Sequence, residues 1–303
     1  MRIAVLMSSY NGEKYIEEQI KSILSQTGNF ELDLWVRDDG SVDNTIKILE
    51  YYQEKGKLRW YSDKNCGPAK SFFDLIYKAK EYDYYAFSDQ DDYWYPNKIT
   101  NAVEKLKKYD SGKKLLYFCN AEYVDSNLKP LGGKNYKGSV PTDFYSTLLN
   151  PGYLGCTMVF NNKLAEVIQN HSMPDVIFMH DEYLARVCVA VGGKVVFDDR
   201  AFIKYRQHGD NVIGSTVGKM DALMRRINMI CKANRIGIKE ELSGIKNIYG
   251  DEIGDMEKEW INTIICYKDS IKNKIKLAFS SKPKFISTNM RWTIRFKILN
   301  GKL

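Results

Sequence analysis

Phe87-Ser88-Asp89-Gln90-Asp91-Asp92-Tyr93-Trp94 places carboxylates at 89, 91 and 92, directly after an apolar run over residues 84–87. Like charges that close repel unless a cation sits between them. Oxygen ligands on a short loop suit Mg²⁺ or Mn²⁺, which take one or two protein carboxylates and leave positions for substrate phosphates. The plainer alternative is a solvated acidic turn ahead of a helix near Pro96. A second acidic pair stands in Arg37-Asp38-Asp39-Gly40-Ser41. Asp38 or Asp39 is then free to recognise a base or ribose, or Asp39 is simply a turn residue before Gly40.

The elements that must position these groups alternate. Strands are expected over 3–7, 32–36, 58–61 and 84–87. Helices are expected over 15–26, over 44–54 with Asp43 as N-cap, and after the turn Asn65-Cys66-Gly67-Pro68. This alternation predicts an α/β fold with a mainly parallel sheet flanked by helices. In such sheets ligands bind beyond the carboxyl ends of the strands, so the two acidic clusters should converge on one cleft. Further on, the pattern predicts a helix over 97–109, a strand over 115–120 and a Gly/Lys-rich loop over 127–140. A strand over 156–160, a helix over 180–191 and a strand over 201–206 follow. After residue 215 only helices are expected, over 218–236, 238–249 and 252–277.

Composition narrows the classes. At 303 residues the chain can bury a large core. Residues 1–214 carry 27 Lys/Arg against 29 Asp/Glu, and residues 215–303 carry 18 against 9. The basic excess belongs to the tail, so it is no nucleic-acid signal for the whole protein. Six dispersed cysteines with no C-x-x-C pair, and three histidines, argue against a zinc site or disulfide scaffold and for reduced thiols. No apolar run reaches the ~18 residues of a membrane span. Neither G-x-G-x-x-G after the first strand nor G-x-x-x-x-G-K-[ST] occurs, so a glycine loop cradling phosphates is not expected.

Ser8-Ser9-Tyr10-Asn11-Gly12, Asp38-Asp39-Gly40-Ser41-x-Asp43-x-Thr45, Asn65-x-Gly67 and Asp89-Gln90-Asp91-Asp92 stand in the order and spacing of the family 2 glycosyltransferases, which the chain resembles over about residues 1–110. The likeness continues more loosely through Gly155-Cys156-Thr157, His180-Asp181-Glu182 and Arg206-Gln207-His208. It implies the GT-A fold: a Rossmann-like mixed sheet flanked by helices, with a C-terminal helical extension. It implies a catalytic domain over 1–214, with nucleotide-binding (1–92) and acceptor (93–214) parts, and a basic helical region over 215–303. The implied reaction is inverting sugar transfer from a nucleoside diphosphate donor to a hydroxyl of a glycan or glycolipid. By position, Ser8 and Tyr10 contact the nucleotide and Asp39 hydrogen-bonds the pyrimidine. Asp91 ligates the metal, Asp89 lies on ribose or bridged metal, and Asp181 is the base. Arg206 pairs with phosphate or with one of the local acids, His208 touches the diphosphate or completes the metal shell, Trp94 lines the donor or acceptor pocket, and Glu182 stands on the acceptor side. For Asp181 a helix first-turn charge is the alternative; for Trp94 it is packing, and for His208 a structural bond. His171 and His180 read as structural.

The acidic loop and Arg206-Gln207-His208-Gly209-Asp210-Asn211 are most similar to rhamnosyltransferase-type members, favouring dTDP-L-rhamnose. A UDP-hexose-dependent transferase, a nucleotidyltransferase lacking its basic loop, and a non-catalytic sugar-nucleotide or membrane-binding protein are the other readings. Residues 269–303 carry nine Lys/Arg and one acid among aromatics and aliphatics. Such interleaving fits an anionic membrane surface, and the expected place is the cytoplasmic face of the plasma membrane, with no nucleic-acid partner. A helix packed on the domain with lysines facing water is the alternative.

Overall fold

The computed structural model describes residues 1–109, 112–207 and 237–303. Strands β1 (Arg2–Ser9), β2 (Glu31–Asp38), β3 (Arg59–Ser62) and β4 (Tyr84–Ser88) alternate with helices α1 (Ile16–Leu24), α2 (Thr45–Glu54) and α3 (Pro68–Lys78). All four strands are parallel, in the order β3-β2-β1-β4. The chain builds outward from β1 on one flank and then returns to the other with β4. That reversal opens a crevice beyond the carboxyl ends of the strands. Successive residues of a strand face opposite sides of a sheet, and here both sides are covered. Ala4 and Leu6 join one core with Tyr85 and Phe87, while Ile3, Val5 and Met7 join the other with Tyr84 and Ala86. Burial on both faces is why these strands read as unbroken apolar runs.

The second half supplies the antiparallel strands of the expected mixed sheet. After β5 (Tyr93–Trp94) and α4 (Lys98–Lys107) come β6 (Leu115–Val124), β7 (Pro130–Lys134), β8 (Val159–Asn161) and β9 (Lys194–Arg206). β8 is antiparallel to β4 and β6, β7 to β6, and β5 to β9; β6 and β9 run parallel. The Gly/Lys-rich stretch therefore contains a strand. All five residues of β7 are exposed, so no apolar alternation marks it. The strand expected over 156–160 is a 3-10 turn, Gly155–Thr157, followed by the three residues of β8. Two helices were not anticipated, α5 (Phe144–Leu149) and α6 (Asn162–Gln169), although each carries its start signal. Asp143 accepts from Ser146 N and Asn161 from Leu164 N, the side-chain cap that satisfies a first-turn N–H.

Helix α7 (His180–Ala190) precedes β9, and α8 (Ile238–Tyr249) matches its expected span. The helix expected over 218–236 lies outside the described residues. The one expected over 252–277 divides into α9 (Asp255–Ile265), a 3-10 turn and α10 (Ile271–Ala278), with Ser270 capping α10 through Asn273 N; α11 (Thr288–Leu299) closes the order. Leu242, Ile245, Trp260, Ile264, Leu277 and Ile298 share one core with α3, α6 and α7. The C-terminal helices thus pack on the sheet's helical layer, while the expected boundary at 214/215 falls outside the described residues.

Candidate active site

Three loops leave the carboxyl ends of β1, β2 and β4 and are stitched together. Asn11 N donates to Ser41 Oγ (2.9 Å), Val42 N to Asn11 Oδ1 (2.9 Å) and Gly12 N to Thr45 Oγ1 (2.8 Å). Asp43 accepts from Thr45 N and Glu13 N, so it braces this junction, and Asn44 takes the cap position of α2. Asn11 sits at φ 47°, a left-handed conformation that Asn tolerates better than most residues. The amide of Gln90 pairs with both the N–H (2.9 Å) and the carbonyl (3.0 Å) of Tyr10. A Cβ on Gly12 would come within 2.2 Å of Gln90 Oε1, so a larger residue there would push the Gln90 amide out of this clasp. The sequence motifs are therefore spaced as the halves of one interlocked junction.

That junction walls a cleft of about 430 Å³, lined among others by Ser8, Tyr10, Asp39, Asp89, Asp91 and Asp181. The convergence expected from the sequence is met. Ser8 Oγ is 2.6 Å from Ser71 Oγ of α3, and the Tyr10 side chain stays half exposed. Asp39, buried, accepts from Arg37, from Cys66 N and from Gly67 N (both 2.9 Å), so it anchors the loop that opens α3. Asp38 faces inward instead. It accepts from Gly40 N, Ser41 N, Ser62 Oγ and the Ser41 hydroxyl, which makes it a turn-former and not a ligand group.

Behind the cleft floor Asp92 is fully buried. Its Oδ1 accepts from Arg206 N (3.1 Å), and the carboxyl lies against the Cys156 thiol. Burial and the charges of Asp91 and Asp89 push its carboxyl well above the usual range. Burial, then Asp91 and Asp181, raise Asp89 to about 7. Ligand atoms of Asp89, Asp92 and Cys156 lie within 4.8 Å of one another. Among the described residues the cleft lining holds four aspartates and no lysine or arginine. The negative charge of a diphosphate would be repelled by such a lining unless a cation lay between them, and the cleft carboxylates of Asp89 and Asp91 are hard oxygen donors of the kind a divalent ion takes.

Asp181 stands in the first turn of α7. Its Oδ2 accepts from Gly155 N (3.0 Å) and its Oδ1 from Glu182 N (2.7 Å). Burial and then the Glu182 charge raise its pKa to about 7. A Cβ at Gly155 would come within 2.6 Å of His180 Nε2 and 3.0 Å of Asp181 Cβ, so the 3-10 turn reaches the base of α7 only as glycine. The result is a buried carboxylate on the cleft wall, poised near neutrality to accept a proton.

Three sequence-nominated residues lie elsewhere. Arg206 is buried and does not line the cleft. Its guanidinium donates to Asp91 O (2.7 Å), Ser126 O and Glu18, and lies 4.4 Å from the Tyr15 ring centroid. Its charge joins α1, the acidic loop and the β6–β7 turn instead of facing a phosphate. Trp94, fully buried, has Lys98 Nζ 3.5 Å over its ring and is core, not pocket. Glu182 turns away to Arg186 (3.0 Å). His208 lies outside the described residues.

Sequence reasoning missed Gln90 as the clasp, Cys156 beneath the acids, and Lys98, a buried amine whose pKa desolvation lowers to about 8. Lys98 falls in the first turn of the charged helix expected over 97–109, and nothing in the spacing marks it as internal. His171 bonds Val167 O, as a structural histidine does. His180 lines the cleft, stacked 4.0 Å from Phe72, and burial drives its pKa down to about 3, so the ring is neutral packing.

Comparison with known proteins agrees with this geometry. The family model described as glycosyl transferase family 2 matches residues 4–164. The chain is 31% identical over 268 residues to the dTDP-rhamnosyl transferase RfbG of Shigella flexneri, covering 81% of this chain and 85% of that protein. Its fold is similar to S. aureus TarS 1–349 in complex with UDP, with TM-score 0.55, 18% identity, and coverage of 100% of this chain and 81% of that one. It is also similar to the mannosyltransferase PcManGT from Pyrobaculum calidifontis in complex with GDP-Man and Mn²⁺, with TM-score 0.51, 17% identity, and coverage of 99% and 85%. At those identities the two structures speak to the fold alone, a GT-A sheet with added C-terminal helices.

Proposed function

The chain belongs to glycosyl transferase family 2 and acts on nucleotide sugars, and from that premise we propose that it transfers L-rhamnose from dTDP-L-rhamnose, with inversion, to a hydroxyl of a growing lipid-linked surface polysaccharide. The observation that carries the reading is the meeting of Asp39, Asp89, Asp91 and Asp181 in one cleft at the switch point of the sheet. Likeness to RfbG over most of both chains supports the choice of rhamnose.

In this reading Tyr10 offers a half-exposed ring to the base, Ser8 borders it, and Asp39 meets the pyrimidine edge while holding the Asn65–Pro68 loop. Asp91, with Asp89 beside it, holds Mg²⁺ or Mn²⁺. Held there, such an ion would supply positive charge to offset the negative charge that grows on the diphosphate as the sugar leaves. Asp181 takes the proton of the incoming hydroxyl, because a neutral hydroxyl is a poor nucleophile. Attack from the face opposite the diphosphate inverts the anomeric carbon. A second, nucleophilic carboxylate is not needed, unlike in a retaining hydrolase.

The acceptor side draws on the C-terminal helices. Ile271, Ile275, Phe279, Trp292, Phe296 and Leu299 are exposed, among Lys272, Lys274, Lys276, Arg291, Arg295 and Lys297. Arg295 lies 5.1 Å from the ring centroids of both Phe279 and Trp292. A basic face with protruding aromatics suits an anionic bilayer surface, and among the described residues no helix is long and apolar enough to cross a membrane. The enzyme then works on a lipid-linked glycan at the cytoplasmic leaflet. Thermal shift against a panel of dTDP-, UDP- and GDP-sugars, with and without Mn²⁺, tests the donor, since ligand binding raises apparent stability. The largest shift should come from dTDP-L-rhamnose with Mn²⁺; a larger shift with a UDP-hexose replaces rhamnose in this reading.

A further inference from the structure

Glu241, on α8, touches the helix that carries Asp181 at two points. One carboxylate oxygen accepts from Phe178 N (3.0 Å), in the segment that feeds α7, and the other accepts from Arg186. Arg186, buried one turn beyond Asp181, also donates to Glu182 Oε2 (3.0 Å) and to Leu148 O of α5 (3.1 Å). Glu241 is 1% exposed and Arg186 6%. A buried ion pair is a poor source of stability compared with apolar side chains of similar volume, so its presence here asks for another explanation. The N-terminus of α7 offers one. Met179, at the cap position, makes no side-chain cap bond, so the helix start is held from outside.

We propose that Glu241 and Arg186 are positioning residues for the catalytic carboxylate, making the C-terminal helices part of the active site. The inference rests on Asp181 being the base. Glu241 fixes the entry to α7 through Phe178 N, and Arg186 holds Glu182 alongside Asp181. Two effects follow. The direction in which Asp181 faces the cleft depends on the clamp, and so does the field it feels. Glu182 and Asp89 are the anions acting on Asp181 from its own helix and across the cleft. His180 beside it is neutral, and Arg186 offsets Glu182. Removing the negative charge of Glu241 lets Arg186 neutralise Glu182 more fully, which eases ionisation of Asp181. Removing Arg186 does the opposite.

The test follows dTDP release from dTDP-L-rhamnose with Mn²⁺ and water as acceptor, over pH, in wild-type protein and in Glu241→Gln and Arg186→Gln. Misplacing a catalytic group by about 1 Å can cost on the order of 100-fold. Both variants should therefore lose about 10- to 100-fold in kcat, with KM for the donor within about twofold. The acid limb should move to lower pH in Glu241→Gln and to higher pH in Arg186→Gln. If Arg186→Gln does not fold, Arg186→Met with Glu241→Met supplies the second measurement. An apolar pair keeps the packing but not the hold on Phe178 N, so kcat should still fall. Wild-type kcat in the folded variants, or a lower kcat with an unmoved limb, overturns the positioning role. No dTDP release from wild type would instead overturn dTDP-L-rhamnose as the donor.

Discussion

Asp181 concentrates the argument at the scale of a residue. Its carboxyl is raised to about 7, first by burial and next by Glu182. Below that pH it is protonated and cannot act as a base, so kcat/KM should fall roughly tenfold per unit on the acid side, with an apparent pKa near 7. Asp181→Asn should remove ~10²–10⁴-fold of turnover while leaving nucleotide-sugar binding in place, which calorimetry alongside the pH profile checks. That Asp181, Asp39, Asp89 and Asp91 line one cleft was legible because their spacing follows loops whose partners sit in the same motifs. For Arg206 and Trp94 the plainer alternatives hold, a local acid and packing. A motif position says nothing of which way a side chain turns: Trp94 packs into the core, and Arg206 spends its charge on Asp91 O, Ser126 O and Glu18. Lys98 and Cys156 were invisible, since each acquires its neighbours only when α4 and the 3-10 turn fold beneath the acids.

Among elements, the 3-10 turn Gly155–Thr157 does the most to hold the site. A methyl group at Gly155 has to displace the His180 ring or the Asp181 side chain. Overpacking of this kind typically costs about 1–3 kcal/mol. Gly155→Ala should therefore lower the denaturation midpoint and reduce kcat more than it changes donor affinity. Unaltered kinetics would mean that the turn does not support the base. The parallel elements β1–β4 and α1–α3 were readable because each strand is buried on both faces and each crossover helix is amphipathic. β7 escaped because none of its residues is buried, and α5 and α6 because their short spans hide behind polar caps. The break between α9 and α10 was missed for want of a Gly or Pro; Ser270 marks it as a cap instead.

At the scale of the molecule, charge is sorted. Acids gather in the cleft and bases on the outer face of α10 and α11. The raised carboxyls of Asp89 and Asp181 give the fold a definite pH dependence. The stability they contribute is full below the unfolded value near 3.8 and is lost as pH rises through about 7. A dication competes with protons for such carboxylates, so Mn²⁺ should raise Tm more at pH 8 than at pH 6. Equal shifts at both would speak against the acids as its ligands. On the other face, Trp292→Ser with Phe296→Ser should abolish flotation with vesicles containing anionic lipid and leave Tm unchanged, because neither side chain is part of the core. Wild-type binding should weaken with salt.

The most direct measurement of the central claim, that Asp181 activates a hydroxyl for attack opposite the diphosphate, is proton NMR of the first sugar released from dTDP-L-rhamnose to water in the presence of diamagnetic Mg²⁺. The sugar should first appear with the anomeric configuration opposite to that in the donor, and Asp181→Asn should suppress its appearance. Release with the donor's own configuration, or undiminished release by Asp181→Asn, would contradict the account.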